Sequence, residues 1–189
     1  CCGSPGRVGL QIGSIEMGKQ FYHMPVRTEP YTTESSLPDI QCGIEAYEGT
    51  MCNILSGGDY HLGEIGTLDS LMTTSYEKTI IDEEITSRLL YIKEGIDVSE
   101  EAAAVDVICD VGSGGNFLCE EDTIDLMHDA WYPKYTDWNR DIEAIGDDYT
   151  YVLKKANAEW KRRLAEAPET LLDKEVAKAV DEYVEAHRK

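Results

Sequence analysis

The sequence is poor in basic residues: 17 lysines and arginines stand against 37 aspartates and glutamates, giving a formal net charge of −20 over 189 residues. Nucleic-acid binding needs clustered Lys and Arg side chains that neutralise phosphates, so this balance argues against a nucleic-acid partner. Long apolar runs are also missing, because no stretch approaches the roughly 18 residues of a membrane-spanning helix. We therefore expect no membrane partner either.

The six cysteines lack a recognisable pattern. No C-x-x-C pair occurs, and no Cys/His cluster has the spacing of a zinc site, so no metal ligands are predicted. Reduced thiols in a cytoplasmic protein are the simpler interpretation for a chain of this size. The chain begins at Cys1 without a signal-like segment, inside what already resembles a helical pattern. We therefore expect the complete protein to start earlier.

Hydrophobic spacing predicts helices alternating with short extended segments in the first part of the chain. A first helix is predicted over about 5–22, with Tyr22 on its apolar stripe and therefore in the core. Further helices are predicted over about 38–55, 75–93 and 99–111, and strands over 24–28 and 60–65. Two strands that each follow a helix are typical of a parallel β/α arrangement.

The last third of the chain has a different pattern. From residue 120 onward no strand is predicted, and residues 147–166 and 173–187 form amphipathic patterns, the second capped by Asp173. We therefore predict an α/β part over residues 1–118 and an α-helical extension over residues 119–189. Two strands cannot close a barrel, which requires eight.

Short motifs along nearly the whole chain resemble one family in order and spacing. They are GSP (residues 3–5), FYHMP (21–25), TESSLPDIQCG (33–43), GTLD (66–69), SYEK (75–78), VGSGGNFL (111–118) and LDKEV (172–176). Each motif alone is weak, but together they are similar to the trimethylamine methyltransferase family. The similarity covers about the second half of a typical member.

The resemblance implies a fold and a set of partners. The chain would be the C-terminal portion of a TIM (β/α)₈ barrel, continued by an α-helical C-terminal extension. The family moves a methyl group from an amine to the Co(I) of a corrinoid protein. The corrinoid (cobalamin) would thus be carried by a partner protein and not bound permanently, and family analogy implies a homo-oligomer.

The chain departs from the family pattern at three places. Thr32 stands where the trimethylamine-specific members have pyrrolysine, so the chain resembles the other branch, which is associated with quaternary amines such as glycine betaine, carnitine or proline betaine. The paired glycines of the family strand are replaced by Glu29-Pro30 or Pro30-Tyr31. Gly63 stands where many members have histidine, while His61 lies two residues earlier, on the same face of a strand.

Methyl transfer to a corrinoid needs no nucleophilic side chain, so the expected site residues bind and orient the substrate. Arg27 is predicted to hold a substrate carboxylate at a C-terminal strand end. Its alternative is an ion pair with Glu29 or Glu34 that organises the barrel mouth. Tyr31 and Thr32 either line the pocket or belong to a plain loop.

Four further residues complete the predicted substrate site, each with a structural alternative. His61 faces the substrate or the corrinoid, or else is a histidine satisfied by the backbone. Glu64 polarises a ligand or is solvated, and Asp69 contributes to the site or caps its loop. Asn116 makes a polar contact from a glycine-rich turn that resembles a phosphate loop only superficially, because the Gly-Lys-Ser/Thr ending is missing.

The sequence therefore predicts an amine:corrinoid methyltransferase of which this chain is one part. The alternative is a non-catalytic or degenerate barrel fragment that serves as an amine-binding or assembly subunit. No catalytic side chain is predicted in either case.

Overall fold

The structure, a computed structural model, describes residues 3–61, 63–127, 129–136, 138, 146, 148–168 and 171–188. This part of the chain is mostly helical, and each of its strands is only two residues long. No helix within the described ranges is both long and apolar enough to cross a membrane.

The first helix, α1, spans Pro5–Glu16 and continues into a π-helical turn at Met17–Phe21. It begins where predicted, because the Ser4 hydroxyl accepts a hydrogen bond from the Arg7 N–H and Pro5 needs no donor in the first turn. The expectation of a core position for Tyr22 is wrong, since that side chain is 60% exposed. The helical pattern ends at the π turn, and Tyr22 lies beyond it.

A parallel strand pair with a crossover helix follows. Strand β1 is Arg27–Thr28, helix α2 is Ile40–Leu55, and strand β2 is Tyr60–His61. The strands pair in parallel, with Arg27 opposite Tyr60 and Thr28 opposite His61, which confirms the predicted β/α arrangement. The described residues contain this one parallel pair and not a closed barrel.

The predicted extension of β2 to residue 65 is wrong. Gly63 and Glu64 adopt φ angles of +76° and +72°, which are incompatible with extended backbone. An unpredicted antiparallel hairpin comes next, with β3 at Thr67–Leu68 and β4 at Thr73–Thr74. Its tight turn contains three consecutive non-glycine residues with left-handed φ angles, at positions 69–71.

The hairpin turn is hydrogen-bonded to the loop after β1. The Ser70 N–H donates to the Thr33 carbonyl at 3.0 Å, and the Ser70 hydroxyl donates to Glu34 Oε2 at 2.7 Å. On the other side, Glu45 Oε2 of α2 accepts from the Thr33 hydroxyl at 2.7 Å and from the Glu34 N–H at 2.8 Å. The loop is therefore fixed between α2 and the hairpin.

The longest helix, α3, spans Tyr76–Glu94, close to the predicted 75–93, with Ser75 as its N-cap and Gly95 as its C-cap. The helix predicted over 99–111 is instead two helices, α4 (Glu100–Ala103) and α5 (Val105–Val111). They separate at Ala104, whose φ angle is +46°. A 3-10 turn at Phe117–Cys119 leads into α6 (Glu121–Leu126).

Two longer helices complete the described chain: α7 (Tyr151–Glu166) and α8 (Lys174–His187), the latter capped by Asp173 as predicted. The predicted start of the first at residue 147 lies outside the described residues. Helix α7 packs on α3, where Ile80, Tyr135 and Ala156 form a buried cluster with Trp160 at its edge. Residues on both sides of position 118 share this core. The division of the chain into an α/β part and a helical extension at that position stays a prediction.

A fully buried ion pair lies on the inner side of α3. Lys78 Nζ and Asp82 Oδ2 are 2.6 Å apart, and each side chain is 1% exposed. Lys78 also donates to the Tyr31 carbonyl at 3.0 Å, and the Gly66 N–H donates to Asp82 at 2.8 Å. The pair thus joins α3 to the loop after β1 and to the start of the hairpin.

One ionised carboxylate of α3 adds polar contacts to its packing against α7. Glu77 Oε1 accepts hydrogen bonds from Asn157 Nδ2 at 2.6 Å and from Trp160 Nε1 at 2.9 Å. Burial alone would raise the pKa of Glu77, but these hydrogen bonds outweigh it and hold the pKa at about 2. The charged form is therefore favoured by folding.

We expect Glu77→Gln to remove a pH-dependent part of the stability. Because the folded pKa lies below the ordinary value, the wild-type contribution is present above about pH 4.5 and is lost as pH falls toward about 2. Urea unfolding at several pH values should show a shallower acid loss for Glu77→Gln than for the wild type. An exposed control, Glu182→Gln, should keep the wild-type slope, and equal slopes for all three proteins would contradict the assignment.

Candidate functional site

The two faces of the β1–β2 pair have different surroundings. Thr28 Oγ1 and His61 Nδ1 lie 2.5 Å apart on one face. A Cβ placed on Gly58, just after α2, would lie 2.8 Å from Thr28 Cγ2 and 3.3 Å from His61 Cε1. This face therefore packs against the end of α2. His61 has a side-chain partner there rather than a backbone one, and burial lowers its pKa.

The opposite face carries Arg27 and Tyr60. These residues are register partners, so their side chains project from the same side of the pair. The Arg27 side chain is 50% exposed, and Tyr60 is 58% exposed. A guanidinium and an aromatic ring thus stand on neighbouring strands, about 4.8 Å apart at the backbone.

Two arginines and two glutamates meet where these strands end, and we call Arg7, Arg27, Glu29 and Glu64 the arginine–glutamate cluster. Glu29 lies between the guanidinium groups: its Oε2 is 3.0 Å from Arg7 Nη2, and its Oε1 is 2.9 Å from Arg27 Nη1. The ion pair of Arg27 with Glu29 is the structural alternative considered for Arg27. Gln11 of α1 also donates to the Glu29 carbonyl at 3.2 Å.

Glu64 is the unusual member of this cluster. Burial raises its pKa to about 7, and the adjacent Glu29 carboxylate raises it as well, whereas Arg7 and Arg27 oppose the shift. Its Oε2 is buried and has no hydrogen-bond partner within the described residues. Glu64 also has a left-handed φ angle of +72°. This conformation is strained for a non-glycine residue, and such strain is concentrated at functional positions.

Tyr31 and Thr32 lie beside the cluster but are both buried. The Arg7 guanidinium donates to the Thr32 hydroxyl. The Tyr31 hydroxyl lies 2.6 Å from Thr86 Oγ1 on α3, and burial raises the pKa of this phenol. Thr32 therefore contacts the cluster, while the Tyr31 ring extends toward α3.

Asp69 and Asn116 lie on other elements. Asp69 is exposed in the hairpin turn, where its carbonyl accepts from the Met72 N–H at 2.9 Å. Asn116 is exposed and caps the 3-10 turn, since its Oδ1 accepts from the Leu118 N–H at 3.0 Å. The Asn116 side chain thus makes a local capping contact, whereas the contact of Asp69 is made by its backbone.

Among the predicted residues, the structure thus links Arg27 and Thr32 through Glu29 and Arg7, with Tyr60 beside Arg27 on the neighbouring strand. The charges of Glu29, Arg7 and Arg27 also act on the pKa of Glu64. Tyr60 could have been found by aligning the alternation of β2 with that of β1. No such signal exists for Arg7, because this helix residue is 22 positions before Glu29 and reaches it only through the tertiary fold.

A cavity of about 800 Å³ lies elsewhere, between α2 and α3, with mainly apolar walls that include Ile44, Met51 and Ile85. Glu84 in its wall already accepts from the N–H groups of Lys134 at 2.9 Å and Thr136 at 3.1 Å. The wall also carries Glu48 and Arg88, but two arginines and a glutamate joined by ion pairs are found at the strand ends. Over the described ranges, no group of His, Cys, Asp and Glu has the arrangement of a metal site.

Comparison with known proteins supports the resemblance of the motifs. The family model described as Trimethylamine methyltransferase (MTTB) matches residues 1–189. The proline betaine:corrinoid methyltransferase of Eubacterium limosum is 32% identical over 168 residues, covering 86% of this chain and 34% of the relative. The glycine betaine methyltransferase of Desulfitobacterium hafniense is 29% identical over 182 residues, covering 96% and 38%.

A trimethylamine methyltransferase of Methanosarcina barkeri is 37% identical over 125 residues, covering 66% of this chain and 25% of that protein. The matched part of the chain thus spans between 25% and 38% of the length of these relatives.

Proposed function

This chain belongs to the trimethylamine methyltransferase family, and we propose that the full-length protein containing it transfers a methyl group from a quaternary or tertiary amine to a corrinoid. In this proposal a partner protein carries the corrinoid; a corrinoid is the acceptor in the name of the Eubacterium limosum relative, proline betaine:corrinoid methyltransferase. In this proposal, β1 and β2 are two late strands of a TIM barrel, residues 119–189 form its helical extension, and the protein is a cytoplasmic homo-oligomer.

The observation that carries the proposal is the placement of Arg27 and Tyr60 on one exposed face of the parallel pair, each one residue before the carboxyl end of its short strand. Active sites of parallel β/α barrels lie at this end of the strands. An aromatic ring attracts a quaternary ammonium group, and a guanidinium binds a carboxylate through charge-assisted hydrogen bonds. An amine that bears both groups would satisfy both side chains.

In the reaction, the C–N bond breaks, its electron pair stays on the amine nitrogen, and the methyl group goes to the corrinoid. The corrinoid supplies the nucleophile. The side chains of this protein therefore bind the amine, orient one methyl group and exclude water. Arg27 would hold the carboxylate, Tyr60 would cover the ammonium group, and Thr32 would keep Arg7 in place beside Glu29.

The test mixes the full-length protein with a reduced corrinoid protein and, in turn, glycine betaine, proline betaine, carnitine and trimethylamine. We expect the absorption spectrum of the corrinoid to change to that of the methylated form with at least one amine. Binding of an amine without methylation of the corrinoid would favour the alternative, a degenerate amine-binding protein. Neither binding nor methylation with any of the four would refute the proposed substrate class.

A further inference from the structure

We propose that the tip of the β3–β4 hairpin is a docking contact for the protein that carries the corrinoid. The hairpin tip consists of Leu71 and Met72, whose side chains are 47% and 81% exposed. The inference rests on the proposed function and names the surface that receives the partner of that reaction. It concerns how the carrier protein is held, and not how the amine is bound.

The hairpin lies at the end of the strand pair where the reaction would take place. Strand β3 begins at residue 67, soon after β2 ends at residue 61. The Asp69 N–H donates to the Ser35 carbonyl at 2.9 Å, and the Ser70 N–H donates to the Thr33 carbonyl at 3.0 Å. Both acceptors belong to the loop after β1. The hairpin and the loop therefore follow the carboxyl ends of their strands, at the rim where parallel β/α barrels hold their substrates.

The turn holds the tip in one disfavoured conformation. Asp69, Ser70 and Leu71 have φ angles of +51°, +51° and +75°, all in the left-handed region. The Met72 N–H donates to the Asp69 carbonyl at 2.9 Å, and the Ser70 hydroxyl donates to Glu34 Oε2 at 2.7 Å. Strain of this kind persists only where the surrounding structure imposes it, and it is concentrated at functional positions.

The side chains that this turn presents are apolar and lie in solvent. Leu37, on the loop to which the turn is bonded, is 65% exposed as well. Single exposed apolar side chains are ordinary, but a group of them on one rim is typical of a protein–protein contact. Methionine suits such a contact because its flexible side chain adapts to the partner surface. A strained turn that leaves Leu71 and Met72 in solvent adds little to the core of the described chain.

The proposed reaction determines which partner this rim receives. The methyl group leaves the amine at the strand ends, so the Co(I) has to come within bonding distance of it there. A corrinoid held by a protein brings the surface of that protein against the same rim. The amine is small and would lie at Arg27 and Tyr60, whereas the tip projects into solvent. Of the two ligands of the reaction, the carrier protein is therefore the one that reaches the tip.

Two substitutions remove the apolar contact and keep the turn. Met72→Gln preserves the length of the side chain, and Leu71→Asn introduces a residue that tolerates a left-handed φ angle. In the full-length protein, each should weaken the binding of the corrinoid protein about tenfold, as expected for the loss of one apolar anchor of an interface. Calorimetric titration with the corrinoid protein of the methylation assay measures the dissociation constant. The KM for the corrinoid protein should rise by the same factor, while kcat and the KM for the amine stay unchanged.

Met17→Gln is the control for these variants. Met17 is 53% exposed and lies in the π-helical turn that precedes β1, at the opposite end of the strands. This variant should bind the corrinoid protein with wild-type affinity. Thermal unfolding of all variants, followed by circular dichroism, checks that the full-length fold is unchanged.

The outcomes separate the docking contact from the proposed function. Wild-type affinity in both tip variants, or a wild-type protein that binds no corrinoid protein, overturns the contact. A raised KM for the amine overturns it too, because the tip would then line the amine site. Lost thermal stability with unchanged affinity would place the tip inside the full-length protein and likewise overturns it. If the tip variants bind the corrinoid protein more weakly but no amine methylates it, the methyltransferase proposal fails and the docking contact stands.

Discussion

Lys78→Ala is expected to lower the free energy of unfolding of the full-length protein by about 3–5 kcal/mol, because it leaves Asp82 as an unpaired charge in the interior. Both side chains are 1% exposed, so water cannot compensate for the lost partner. The Tyr31 carbonyl loses its hydrogen bond at the same time. Urea unfolding followed by circular dichroism measures the change.

Two further variants test the cause of this loss. Lys178→Ala breaks an ion pair of the same i,i+4 spacing on α8, where the side chains are 78% and 69% exposed, and should cost less than about 1 kcal/mol. The double variant Lys78→Met with Asp82→Leu should recover part of the stability. Recovery stays incomplete because the Gly66 N–H then lacks its acceptor, a cost of about 1–3 kcal/mol. Equal effects of Lys78→Ala and Lys178→Ala would contradict the structural role of the pair.

Arg27→Ala is expected to weaken the binding of glycine betaine by about 10–100-fold, the equivalent of losing a charge-assisted hydrogen bond of roughly 1.5–3 kcal/mol. Tetramethylammonium has no carboxylate, so its affinity should change much less. Both dissociation constants are measured by calorimetry at about pH 8, where Glu64 is mostly ionised. Arg27→Lys should be intermediate, because an ammonium group cannot form the bidentate contact.

The ratio of these two affinities decides between the two roles of Arg27. If Arg27 only positions Glu29, to which it is bonded at 2.9 Å, both ligands should be affected to a similar extent. A selective loss for glycine betaine supports direct recognition of the carboxylate. Arg162→Ala, on the exposed surface of α7, is the matched control and should leave both affinities unchanged.

The sequence predicted the long helices and the parallel strand pair because their signals are local. Asp173 occupies its predicted cap position, and Ser4 and Ser75 cap helices that begin at the predicted places. Positive φ angles at non-glycine residues, in contrast, cannot be recognised from the local sequence. Glu64 and Ala104 therefore ended a strand and divided a helix where the residue types alone favoured continuation.

The site was predicted less completely than the fold. Arg27 and Glu64 were predicted from their places at strand ends, and they lie in one cluster with Glu29. Arg7 and Tyr60 were missed because their positions depend on helix packing and on strand register, which connect residues 20 or more positions apart. The buried pair of Lys78 and Asp82 resembles an ordinary exposed i,i+4 pair in the sequence, and only the tertiary fold buries it.

Backbone hydrogen bonds of the hairpin turn, residues 69–71, determine how this region unfolds locally. The amide protons of Asp69 and Ser70 are held by the carbonyls of Ser35 and Thr33, on the loop that follows β1. The turn cannot detach without releasing that loop, and the loop contains Thr32, which contacts Arg7. The hairpin and the loop therefore form one cooperative unit of local unfolding, so ligand bound at the strand ends should slow amide hydrogen exchange in a turn that it does not touch.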